Sequence, residues 1–127
     1  MDKNANALNW FEVPATDIHR AKTFYEQVFA TALEPVTDMM GMLMSFFPAA
    51  PDKVGGALVQ SPMHTPSQTG SIVYLNANPS LQAAVDRIEP AGGTVTMPAT
   101  KISDEIGYMA FFIDSEGNAM ALHANHL

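Results

Sequence analysis

The sequence predicts an α+β fold in which two βαβββ modules form a curved mixed sheet, with helices outside and a concave cleft inside. The first observation is a strand at 10–13 that is followed at once by an amphipathic helix ending near Phe29. The second is a fainter copy of this unit, which begins at Ser71 and ends near Ile88. Segments with strand character follow each copy, so the chain is an internal repeat of one supersecondary unit.

The composition is typical of one globular domain. The chain has 127 residues, of which 47% are hydrophobic and 15% charged, enough for a single core. Cysteine is absent, which excludes disulfides, thiolate zinc sites and cysteine nucleophiles. Without an apolar leader or a stretch of membrane-spanning length, we expect a cytoplasmic protein with no membrane partner. The net charge of −7 argues against a nucleic-acid surface. It either suits small neutral or cationic ligands better than phosphorylated ones or simply maintains solubility.

The first module is expected at about residues 8–61. Thr16 or Asp17 caps its helix, whose apolar residues recur at helical spacing. A methionine-rich segment follows, with a turn at Gly41 between two strands. Met42 and Met44 share one strand face and either bind a soft metal such as Cu(I) or line a flexible apolar surface. Gly55–Gly56 in the next strand predicts a close backbone approach.

A linker at 62–70 and a second module at about 71–125 complete the single domain. His64 lies in the linker, where it is either solvated or functional. Ser80 caps the second helix, and Pro90–Gly93 stops it. A short strand limited by Pro98, a polar loop at 101–107 and a hairpin at 114–118 are expected next.

Four segments in this order resemble the vicinal oxygen chelate superfamily, which includes glyoxalase I, extradiol dioxygenases and bleomycin-resistance proteins. They are FEVPATDIHRAKTFYEQVF, AGGTV, GYMAFFIDSEGN and the final MALH. The resemblance covers about Leu8 to His123 and implies two modules around a cleft. It also implies a homodimer, because this superfamily commonly pairs modules across chains and uncovered edge strands need a partner.

In the metalloenzymes of that superfamily, His, Glu or Gln side chains on the first and last strand of each module hold a divalent metal. The corresponding positions here are Trp10, Ala57, Ser71 or Val73, and Ala121. None of these is a good ligand for a divalent ion. We therefore expect no metal cofactor, although the resemblance implies one for the family. If a metal is bound, we expect Glu12 and His123 to hold it.

Strand alternation places Glu12 on the face of Trp10, and His123 on the face of Ala121. Glu12 is a general base, an anchor for a cationic ligand, or a structural partner of a backbone group or of His123. A Glu12–His123 pair would supply acid–base catalysis near neutral pH. Trp10 either stacks on a ligand or fills the core. The full set of expected ligand-binding residues is Trp10, Met42, Met44, Ala57, Ser71, Tyr108 and Ala121.

The sequence is consistent with two main functions. The first is metal-independent binding of a small molecule in the cleft, comparable to the drug-sequestering members of the superfamily. The second is a lyase, isomerase or dioxygenase-type enzyme that uses Glu12 and His123, either as acid and base or as ligands of a metal. A third reading, an accessory protein without a small ligand, is neither supported nor excluded by the sequence.

Overall fold

The computed structural model describes residues 1–127 and contains two helices and eight strands. The first four-stranded sheet has the order β1-β4-β3-β2, with β1 parallel to β4 and the other neighbours antiparallel. Its elements are β1 (Trp10–Pro14), α1 (Ile18–Phe29), β2 (Thr37–Met39), β3 (Met42–Phe46) and β4 (Gly55–Gln60).

The second half of the chain repeats this topology. Its sheet has the order β5-β8-β7-β6, with β5 parallel to β8 and the remaining pairs antiparallel. Its elements are β5 (Tyr74–Asn76), α2 (Leu81–Ala91), β6 (Thr94–Ser103), β7 (Gly107–Ile113) and β8 (Ala119–Ala124). The predicted α+β fold of two βαβββ modules is confirmed.

Both helices begin at the predicted capping residues, and α2 also ends at a predicted glycine. The Asp17 carboxylate accepts hydrogen bonds from the backbone N–H groups of His19 and Arg20, both at 3.1 Å. The Ser80 hydroxyl accepts from the N–H of Ala83 at 3.2 Å, and Gly92 closes α2 in the left-handed conformation. Neither helix is long and apolar enough to cross a membrane.

Strand β6 is longer than predicted. It continues through Pro98 to Ser103, so the polar loop expected at 101–107 shrinks to the turn between Ser103 and Gly107. Strand β6 pairs only with β7, and its register shifts between Met97 and Thr100. Proline is tolerated at such an edge bulge because no ladder hydrogen bond requires its missing N–H.

One apolar core lies between the two sheets and includes both helices. It combines buried residues from both helices and both sheets. Among them are Val13, Ile18, Phe24, Tyr25, Leu58, Leu81, Ile88, Phe112 and Leu122. Within one chain the sheets share no strand pairing. Because both sheets turn their helix-covered faces to this core, their opposite faces, here called the outer faces, point away from it.

Glu116 ties the second module to the first. From the β7–β8 turn it accepts hydrogen bonds from the N–H groups of Thr16 and Asp17 at 2.9 and 2.8 Å. Its carboxylate also pairs with Arg20 at 2.7 Å. Burial raises the pKa of Glu116, but the hydrogen bonds from Arg20, Asp17 and Ser115 outweigh burial and hold the pKa below its ordinary value. The α1 N-terminus thus receives a carboxylate from the other module.

Candidate functional site

The outer face of the first sheet carries the residues that alternation predicted to lie together. Trp10 and Glu12 on β1 stand opposite Gly55 and Ala57 on β4. A small apolar cluster continues this face, and its members are Met42, Met44, Phe46, Ala57 and Val59. The Trp10 side chain leans on Phe46, with ring centroids 5.8 Å apart, yet the residue remains 43% exposed. An indole surface therefore remains free to contact a ligand.

Glu12 is held by two partners on this face. The Trp10 indole N–H donates to Glu12 Oε2 at 3.2 Å, and His64 Nε2 lies 2.7 Å from Glu12 Oε1. The hydrogen bond from His64 lowers the pKa of Glu12, burial opposes this, and the bond from Trp10 adds to the lowering. The net effect is a pKa below the ordinary value, so Glu12 is an ionised carboxylate at neutral pH.

His64 extends this hydrogen-bonded chain to a serine. Its Nδ1 atom lies 2.6 Å from Ser61 Oγ, which also accepts the backbone N–H of Met63 at 3.1 Å. An ionised Glu12 only accepts, so His64 Nε2 must carry a proton. In the neutral ring Nδ1 is then an acceptor and the Ser61 hydroxyl is its donor. We call this set the Glu12–His64–Ser61 chain.

The sequence alone does not show whether His64 is solvated or functional. The local signal was the SPMH segment, where Ser61 and His64 stand three positions apart across Pro62, a spacing typical of a turn. The partnership with Glu12 had no local signal, because the two residues are separated by 52 positions.

Two open cavities flank the first sheet. One, of about 480 Å³, lies beside the Glu12–His64–Ser61 chain and is lined by Ser61, His64, Gln60, Thr16 and Thr65, among others. The other, of about 910 Å³, is more apolar and lies along the start of β1 and the whole of β5. The first cavity adjoins the polar residues Ser61 and His64, and the second adjoins the edge strands β1 and β5.

The outer face of the second sheet carries His123 and Ala121, as predicted. Tyr74 stands opposite Ala121 in the β5–β8 pairing and packs edge-on against Phe111, with centroids 5.9 Å apart. His123 lies with its Nε2 atom 2.6 Å from the carbonyl oxygen of Ile106.

Three residues that were expected at the ligand site do not lie on this outer face. The prediction that Val73 faces the cleft is wrong, because Val73 packs against the main core and its neighbour Tyr74 takes the outer face. Ser71 precedes β5 and is exposed. Tyr108 packs against the main core, on the helix-covered face of β7. Alternation fixes only the relative faces of neighbouring residues, and β5 begins later than the sequence indicated.

Glu12 and His123 do not meet within one chain. They lie on the outer faces of different sheets, and each has another partner, His64 for Glu12 and the Ile106 carbonyl for His123. Acid–base catalysis by this pair therefore stays a prediction, and it requires the two sheets of different chains to come together.

The donor set of one chain does not fit the divalent metal that the fold implies. The side chains at Trp10, Ala57 and Ala121 carry no suitable donor, and Ser71 has only a hydroxyl. No three His, Asp or Glu side chains are grouped closely enough to hold an ion.

The topology and the two outer faces define a protein of the paired βαβββ class. A family model for the Glyoxalase/Bleomycin resistance protein/Dioxygenase superfamily matches residues 7–122. The chain belongs to this superfamily.

Its relatives place different functions on this scaffold. A glyoxylase-like domain-containing protein from Didymella fabae is 26% identical over 117 residues, 91% of each chain. The antibiotic binding protein TnmS3 from Streptomyces sp. CB03234 superposes with a TM-score of 0.64 at 21% identity, over 97% of this chain and 98% of that one. Glyoxalase I from Zea mays gives a TM-score of 0.68 at 16% identity over 94% of this chain, which spans 45% of the maize chain. The structural likenesses establish the fold alone.

Proposed function

We propose that this protein binds a small molecule on the outer face of the first sheet, without a divalent metal. The observation that carries the proposal is the pairing of a half-exposed indole, Trp10, with an ionised carboxylate, Glu12, 3.2 Å from the indole nitrogen. A flat apolar ligand can stack on the indole, and a positive charge on that ligand can approach the carboxylate.

The surroundings of this pair suit an adaptable binding surface. Met42 and Met44 extend the same face, and their flexible thioethers adjust to ligands of different shape. The net charge of −7 attracts cations to the molecule. TnmS3, a relative in fold, is an antibiotic binding protein, and we propose a comparable use of the fold here.

We further propose that a second copy of the chain forms the cleft, because the two outer faces of one chain point away from each other. Strands β1 and β5 each pair on one side only. Exposed apolar side chains lie on or beside these edges, namely Leu8, Trp10, Ile72 and Tyr74. Pairing β1 of one chain with β5 of its partner would join the outer faces carrying Trp10 and His123. Sedimentation equilibrium at micromolar concentration should give a dimer, and a monomer would contradict this arrangement.

The binding proposal is tested through Trp10, the only tryptophan in the chain. Its fluorescence is titrated with a panel of cationic aromatic antibiotics, including bleomycin-type drugs, with and without EDTA. We expect a saturable change that EDTA leaves unaltered. The variant Glu12→Gln should weaken binding of cationic members by about tenfold, because about 1.4 kcal/mol of charge attraction is lost.

The matched control is Glu89→Gln, which removes the same charge from an exposed position near the end of α2, on the helix side of the other sheet. It should leave the affinity unchanged. The absence of any saturable signal across the panel would overturn the proposal, as would binding that disappears in EDTA.

A second candidate is an acid–base lyase or isomerase of the same superfamily. The bond between Glu12 and His64 favours it, because the carboxylate orients the imidazole for proton transfer. His123 would add a second base if the partner's sheet brings it near. Unchanged turnover of an identified substrate in both Glu12→Gln and His123→Ala would contradict the roles expected for these residues.

A further inference from the structure

The Glu12–His64–Ser61 chain has the arrangement of an activated nucleophile. Ser61 Oγ lies 2.6 Å from His64 Nδ1, and Glu12 Oε1 lies 2.7 Å from His64 Nε2. A hydroxyl, a base and a carboxylate that orients the base are thus in one hydrogen-bonded line. Neither function proposed above assigns a role to Ser61.

Local structure holds Ser61 and His64 in position. The two residues form an isolated β-bridge, in which the N–H of His64 donates to the carbonyl of Ser61 at 3.2 Å. The Met63 N–H donates to Ser61 Oγ at 3.1 Å. This second bond leaves a lone pair on Oγ and stabilises negative charge that develops there. The His64 side chain is only 16% exposed, so it is shielded from water without being sealed off.

The cavity of about 480 Å³ gives Ser61 access to a substrate. Thr16, Thr65 and Gln60 line it together with Ser61 and His64. The Gln60 amide oxygen accepts the N–H of Ile18 at 2.9 Å, and the amide nitrogen remains available as a donor. A molecule that occupies this cavity therefore lies beside Ser61 and among polar side chains.

We propose that Ser61 is a nucleophile toward carboxylic esters, with His64 as its general base and Glu12 as the residue that positions His64. The Ser61 oxygen forms a bond to the ester carbonyl carbon while its proton passes to His64 Nδ1. The carbon–alkoxy bond then breaks, and the alcohol leaves with that proton. Water attacks the acyl-serine through the same base, releases the carboxylic acid and returns the proton to Ser61.

A fluorophosphonate probe tests this directly on the untagged full-length protein. Attack by Ser61 forms an oxygen–phosphorus bond and expels fluoride, and peptide mass spectrometry locates the adduct. We expect the adduct on Ser61. Ser61→Ala should abolish it, whereas Ser67→Ala, an exposed serine of the same loop, should leave labelling unchanged.

Two further variants separate chemistry from structure. His64→Gln should slow labelling by about a hundredfold, and the isosteric Glu12→Gln should slow it by about tenfold, with melting temperatures measured for each. A p-nitrophenyl acetate assay should show a burst of one nitrophenolate per chain in the wild type. An unlabelled wild-type protein, an adduct elsewhere, or full-rate labelling of folded His64→Gln would overturn the inference.

This inference does not rest on the proposed binding function. The probe requires no natural ligand, so a failure to label Ser61 leaves the binding proposal intact. Equally, labelling of Ser61 in a protein that binds no member of the antibiotic panel would support this inference while contradicting the other.

Discussion

Among single residues, Glu12 shows what a sequence pattern can and cannot specify. Strand alternation placed it correctly on the face of Trp10. Its partner His64 was not predictable, because the 61–64 turn that orients the imidazole is 52 positions away from Glu12 along the chain. Lone histidines in loops are usually solvated, and only the folded chain brings this one to a carboxylate.

The Tyr25 hydroxyl makes a buried hydrogen bond that stabilises the fold. Its hydroxyl donates to Asp114 Oδ2 at 2.6 Å, and both residues are buried. Tyr25→Phe removes one of the bonds that hold a buried carboxylate, so we expect a loss of about 1–3 kcal/mol in the free energy of unfolding. Urea unfolding followed by circular dichroism measures it.

Tyr74→Phe is the matched control. Tyr74 is half exposed, and its hydroxyl makes no hydrogen bond within the chain, so the change should stay within about 0.5 kcal/mol. Equal effects of the two substitutions would mean that the Tyr25–Asp114 bond contributes nothing specific.

Among the strands, β4 shows the close approach that its two glycines predict. The Gly55–Gly56 pair indicated a close approach, and the Phe11 ring of β1 occupies the space that a side chain at Gly56 would need. Strand β6 illustrates the opposite case. Pro98 was expected to end it, but the strand continues around a register shift because it is an edge strand. Local sequence does not reveal which strands lie at an edge.

Gly56→Ala is expected to destabilise the protein by about 1–3 kcal/mol, because its Cβ overlaps the Phe11 ring and must displace it. Thermal melts of purified variants measure the effect. In Gly55→Ala the new Cβ lies 3.3 Å from Ala49 and 3.4 Å from Trp10, so a smaller loss is expected. A Gly56→Ala protein as stable as Gly55→Ala would show that Phe11 moves freely.

In the whole molecule, the repeat was predictable and the arrangement of its two copies was not. Periodicity identified the apolar faces of both helices and both sheets. It does not say which apolar face packs against which, so the shared core between the sheets emerges only in the structure. The same limit applies to the site. Alternation groups Glu12 with Trp10 and His123 with Ala121, but it does not show that the outer faces of the two sheets point away from each other.

Glu116 gives a pH-dependent prediction for the contact between modules. Its folded-state pKa is depressed, so its contribution to stability is complete above the unfolded pKa of about 4.3 and is lost as the pH falls through the folded-state value. Glu116→Gln should therefore cost about 1–3 kcal/mol near neutral pH and progressively less below about pH 4.

Chemical denaturation across that pH range measures the difference between wild type and variant. Glu105→Gln, an exposed carboxyl in the β6–β7 turn, controls for the loss of one negative charge. A difference between wild type and Glu116→Gln that does not change with pH would contradict the ionised bridge to Arg20 and the α1 N-terminus.

We propose that this member of the superfamily works without the divalent metal. The most direct measurement is the metal content of untagged protein by elemental analysis, combined with thermal melts with and without EDTA and with added nickel, zinc, manganese or iron. We predict far less than one metal ion per chain and an unchanged melting temperature. One ion per chain with a melting temperature that falls in EDTA would rule out metal-independent function and would identify Glu12 and His123 as the first ligands to test.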